Sequence, residues 1–116
     1  MANSNGWIGV DLDGTLAEYD YWRGYNHTGA PIPLMVDRVK AWLAEGIDVR
    51  IVTARADGAT PQAVWDAVKP LQGWCRLHLG AVLPVTCKKD RRMIQLWDDR
   101  AIQVIPNTGR RVDGKL

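Results

Sequence analysis

Val10-Asp11-Leu12-Asp13-Gly14-Thr15-Leu16 follows directly on the apolar run that opens at Trp7. A hydrophobic run that leads straight into two carboxylates predicts a site at the end of a strand. In extended chain, residues i and i+2 point to the same side, so Asp11 and Asp13 are expected to converge on one pocket. The carboxyl end of an early strand is where open α/β sheets bind ligands. Gly14 lets the backbone turn away and brings its N–H groups close to whatever binds. Two carboxylates this close repel each other unless a cation lies between them. Oxygen-only ligands favour a hard divalent ion, Mg²⁺ first. Asp13-Gly14 alone is also ordinary turn chemistry. A calcium EF-hand loop opens on Asp-x-Asp too, but it requires glycine at its sixth position and glutamate at its twelfth. Here the sixth residue is Leu16 and the twelfth is Trp22, which excludes that loop.

Working outward, short apolar runs recur at Val49 to Val52, Leu79 to Val85, Ile94 to Trp97 and Ile102 to Ile105. They are nearly continuous, as expected of strands covered on both faces in a parallel sheet. Helical signals fall between them. After Pro31-Ile32-Pro33, the residues Met35, Val39, Trp42 and Leu43 form one apolar stripe at helical spacing, with Gly46 as the stop. Thr60-Pro61 announces a second helix that carries Val64, Trp65 and Val68 and ends at Pro70. A short third helix is expected over Lys89 to Met93. The alternation predicts an α/β domain spanning residues 1–116: a three-layer αβα sandwich around a Rossmann-like, mostly parallel sheet of about five strands. Pro84 makes the strand near Leu79 to Val85 the weakest of these, because proline removes a ladder donor.

At 116 residues, 47% apolar and 24% charged, the composition is that of one globular domain and excludes a disordered tail. No apolar run approaches the ~20 residues of a membrane helix. The polar opening MANSNGW predicts no secretory signal peptide, and a cytoplasmic setting follows. Cys75 and Cys87 lack the partners of a zinc site and read as idle thiols. Residues 1–85 carry seven Lys/Arg against nine Asp/Glu, whereas residues 86–116 carry eight against four. This basic final quarter, with a tail at about 107–116, suits phosphate-bearing partners but is too weak an excess to diagnose nucleic-acid binding.

A second acidic pair, Asp98-Asp99, closes the run Ile94 to Trp97. Alone it reads as a cap or turn. If its strand neighbours the first, four carboxylates emerge at one sheet edge, which again calls for metal. Thr53 ends the run Val49 to Val52 and offers a hydroxyl donor. Lys88 and Lys89 place ammonium groups shortly before the second acidic pair, although a solvated lysine pair is the ordinary reading.

Taken in order, these four pieces resemble the motifs of the haloacid dehalogenase superfamily of aspartate-dependent phosphohydrolases. Asp11-Leu12-Asp13-Gly14-Thr15-Leu16 matches the first motif in full, Thr53 the second, Lys89 (or Lys88) the third, and Asp98-Asp99 the fourth. The resemblance implies a phosphatase in which Asp11 is the nucleophile that forms an aspartyl-phosphate, and Asp13 the general acid and base. It implies Mg²⁺ on Asp11, the Asp13 backbone carbonyl and Asp98, with Asp99 direct or through water. Thr53 and Lys89 would hold the phosphoryl oxygens.

The segments between motifs leave no room for the cap domain that usually selects substrate. An open site follows, covered only by a flap over about residues 18–30 or by a second subunit. In and near the flap, Tyr19, Trp22, Arg23 and Arg55 are candidate substrate contacts, with a surface ion pair as the plainer reading of Arg55. The expected substrate is a phosphomonoester, whether a small molecule, a nucleotide or a nucleic-acid end, with no membrane involved. Rival readings are a phosphotransferase of the same superfamily and a non-catalytic phosphate-binding or signalling module. A receiver domain is disfavoured by order: it places an adjacent acidic pair first and the phosphorylated aspartate after a middle strand, where this chain has Thr53.

Overall fold

The computed structural model describes residues 6–116. Trp7–Asp11 (β1), Asp48–Val52 (β2), Val85–Thr86 (β3) and Met93–Trp97 (β4) form one sheet in the order β3-β2-β1-β4. All three pairings are parallel. Between the strands lie helices Pro33–Ala44 (α1), Pro61–Val68 (α2) and Leu71–Leu79 (α3), and one 3₁₀ turn, Ala54–Ala56, just beyond β2. No described helix is long and apolar enough to cross a membrane.

Each element has a local cause. Pro33 supplies the first turn of α1, which buries Met35, Val36 and Val39. Thr60 caps α2, its hydroxyl accepting from the Ala63 N–H at 3.1 Å ahead of Pro61. Strand residues alternate, so Ile8 and Val10 of β1 and Val49 and Ile51 of β2 share one sheet face. That face meets α1 and α3 in a core completed by Leu12, Leu16, Leu71, Cys75 and Leu79. Burial pushes the Cys75 thiol up, as befits an unreactive core residue. The other face carries Trp7, whose ring lies under the Arg50 guanidinium at 4.6 Å. The Trp7 indole N–H donates to Asp90 at 2.8 Å.

The structure corrects several expectations. The sheet has four strands, not five. Ile102 to Ile105 is not a strand; it contributes only an isolated bridge, Val104 to Arg111. Leu79 to Val85 begins as the end of α3 and reaches the sheet only at Val85–Thr86, as Pro84 foreshadowed. α2 ends at Val68, just before Pro70 as expected, but an unexpected helix follows: Pro70 sits immediately before α3, where a missing N–H costs nothing. Lys89 to Met93 is a turn rather than a helix, organised by Asp90, which accepts from the Arg92 N–H at 2.8 Å. The expected three layers are also not built by α1 and α3. Both connect strands in the same direction along the sheet, and crossovers of one hand put their helices on one face. The opening residues 1–5 of the predicted leaderless terminus lie outside the described residues.

Candidate functional site

β1, β2 and β4 run parallel, so their carboxyl ends meet at one edge of the sheet. There Asp11 closes β1, Thr53 follows β2, and Asp98 and Asp99 follow β4. One carboxylate oxygen from each of Asp11, Asp98 and Asp99 lies within 4.8 Å of the others. Thr15 links the two segments. Its hydroxyl is 3.2 Å from Asp11 Oδ2 and 3.1 Å from Asp99 Oδ1, and it accepts from the Asp99 N–H at 3.0 Å.

Gly14 is required between them. Its φ is +93°, and a Cβ there would stand 2.7 Å from Asp99 Oδ2. The clustering has an electrostatic cost. Burial, then the hydrogen bond with Asp99 and the charge of Asp98, push the Asp11 carboxyl up to about 7. A cation among the three would reverse that pressure, and an all-oxygen donor set suits Mg²⁺.

A cavity of about 550 Å³ opens beside the cluster, lined by Asp11, Asp13, Thr53, Asp57, Cys87, Asp98 and Arg100. Tyr19, Trp22 and Tyr25 of the flap, together with Arg55, form more of its wall. Thr53 is buried, and its hydroxyl accepts from the Arg55 N–H at 3.2 Å. That leaves the O–H proton to donate elsewhere.

The flap is folded. Glu18 N–H donates to the Ala30 carbonyl at 2.8 Å, and the Trp74 indole donates to the Gly29 carbonyl at 2.9 Å. A Cβ on Gly29 would overlap the Glu18 carbonyl, so only glycine permits this closure.

Not every expected residue gathers here. Asp13 lines the cavity but is not one of the three clustered carboxylates; it turns toward Arg55. Lys88 and Lys89 are exposed and do not line the cavity. Arg23 is engaged inside the flap, 2.6 Å from Asp20 and over the Tyr21 ring. Arg55 is no surface residue: it is 5% exposed. Sequence reasoning passed over Thr15 and Arg100. Thr15 carried a readable signal, a hydroxyl four residues after a metal-binding candidate; Arg100 carried none.

No protein-family model and no curated protein matches the chain. Among solved structures, a conserved protein coded by a locus of Bacteroides thetaiotaomicron is similar, with a TM-score of 0.53. At 24% identity over 86% of this chain and 80% of that one, the likeness is one of fold.

Proposed function

We propose that the chain is a Mg²⁺-dependent phosphomonoester hydrolase of the haloacid dehalogenase type, a capless member working through an aspartyl-phosphate. The observation that carries the reading is the meeting of Asp11, Asp98 and Asp99 beside a cavity whose wall includes Asp11, Asp98 and Thr53. Acidic residues from two distant segments gather there at an electrostatic cost that a bound cation would offset.

In this reading Asp11, Asp98 and the Asp13 carbonyl, with Asp99 direct or through water, would hold Mg²⁺, which would neutralise charge when bound. Asp11 attacks phosphorus and forms the mixed anhydride. Asp13 gives a proton to the departing oxygen and later takes one from the attacking water. Thr53 donates to a phosphoryl oxygen. The cavity wall supplies Arg100 as a cation, while Arg55 is paired with Asp13; Lys89 or Lys88 would reach in from the exposed turn after β3. Positioning and charge neutralisation would carry most of the acceleration.

The free thiols Cys75 and Cys87 fit a cytoplasmic setting. A second subunit over the open cavity belongs to the same reading. A phosphotransferase differs only in the final acceptor, an alcohol in place of water.

The deciding experiment is a phosphate-release screen with Mg²⁺ over nucleotides, sugar phosphates, phosphopeptides and 3′- or 5′-phosphorylated oligonucleotides. Turnover that stops reversibly with chelator supports the reading. Inactivity across all four classes, or activity that persists in excess chelator, rejects it.

A further inference from the structure

Arg55 holds both oxygens of Asp13: Nε donates to Oδ2 at 3.0 Å and Nη2 to Oδ1 at 2.7 Å. The same guanidinium reaches the flap, where Nη1 donates to the Tyr25 carbonyl at 3.4 Å and to the Thr28 hydroxyl at 3.3 Å. Its Cζ also lies 5.2 Å from the centre of the Trp22 ring. An exposed ion pair contributes little. A pair withdrawn from water persists only when its donors and acceptors are satisfied, and here one side chain satisfies the carboxylate and the flap together.

We infer that Arg55 is a positioning residue that sets the orientation of Asp13 and fastens the flap to it. The inference rests on the phosphatase reading above. A guanidinium has only donors, so the form of Asp13 it orients is the hydrogen-bond-accepting carboxylate, the form a proton acceptor needs. Its effect therefore falls on the second half-reaction. There the water oxygen bonds to phosphorus, and the bond from phosphorus to the Asp11 oxygen breaks with its electron pair returning to Asp11. The proton released by the water passes to Asp13. With p-nitrophenyl phosphate the first half-reaction bypasses Asp13: the Asp11 oxygen bonds to phosphorus and the aryl oxygen leaves with its electron pair as nitrophenolate, which needs no proton.

The test is stopped-flow hydrolysis of p-nitrophenyl phosphate with Mg²⁺ by wild type, Arg55→Met and Arg55→Lys, alongside hydrogen–deuterium exchange. In Arg55→Met the steady rate is expected to fall about 100-fold. A burst of one nitrophenolate per chain should remain, with its rate constant within about threefold of wild type. Exchange in residues 18–30 rises while the sheet is unchanged. Lysine restores the charge without the planar fork, so Arg55→Lys should follow Arg55→Met in both readouts; it carries the test alone if the methionine variant does not fold. Burst and steady phases falling together, or a flap that exchanges as in wild type, would overturn the inference. An inert wild-type chain sinks the phosphatase reading and the role at Asp13 with it, and the exchange arm then decides the tether.

Discussion

Asp11 and Asp99 stand on either side of the Thr15 hydroxyl, 3.2 and 3.1 Å from its oxygen. A hydroxyl has one hydrogen, so it can donate to only one of them at a time. Burial first, then the hydrogen bond with Asp99 and the charge of Asp98, outweigh the Thr15 hydrogen bond and push the Asp11 carboxyl up to about 7.

This arrangement makes the metal-free fold pH-dependent. The Asp11 carboxyl titrates near 3.8 when unperturbed and near 7 in the fold. Between those values the folded chain binds more protons than the unfolded one, so stability falls as pH rises from about 4 to 7. Asp90 and Asp113, held below the usual carboxylate range by the Trp7 indole and by Arg111 respectively, act in the opposite sense but only at lower pH. In chelator, the melting temperature should be higher at pH 5 than at pH 8, and millimolar Mg²⁺ should narrow the gap by binding the folded state. A metal-free melting temperature flat across that range would count against the clustered arrangement.

Asp11→Asn removes one of the crowded charges together with the proposed nucleophile. Phosphate release should vanish, while the metal-free melting temperature at pH 8 stays level or rises. Activity retained in this variant would reject the nucleophile assignment.

Gly14→Ala forces a side chain into a backbone with φ of +93° and toward the Asp99 carboxylate. A loss of more than about 1 kcal/mol is expected. Isothermal titration should show weaker Mg²⁺ binding as well. An alanine variant as stable as wild type would mean that this turn has another conformation open to it.

Thr60→Ala deletes the hydroxyl that caps α2. Urea unfolding should register about 1 kcal/mol of destabilisation. Since Thr60 does not line the cavity, turnover per folded chain should not change.

What the sequence disclosed and what it hid follow from the range of the forces involved. β1 and β2 announced themselves because buried parallel strands need apolar runs, and α1 and α2 because proline and a capping hydroxyl act within one turn; β4 carried the apolar run although Ile94 and Leu96 lie exposed at the sheet's rim rather than covered on both faces. The convergence of Asp11 with Asp98 and Asp99 followed from those strands lying side by side. Leu71–Leu79 was not read as a helix, because Gly73 and its mixed polar residues announce none, and the run Leu79 to Val85 was read as a strand; packing against α1 and the sheet makes the first segment α3. The partnership of Asp13 with Arg55 was equally hidden: no spacing rule links residues so far apart, and Arg55 read as a substrate contact or a surface ion pair. The two lysines stand outside the cavity wall despite their proximity in sequence to Asp98.

Among the described residues β4 has a single sheet neighbour, β1, and their register slips between Trp7 and Ile8. The strand that delivers Asp98 and Asp99 is therefore a rim element, free to fray while the centre stays intact. A divalent ion shared with Asp11 would act as a staple across that seam. Warming should accordingly dismantle metal affinity and catalysis several degrees before the helical signal is lost.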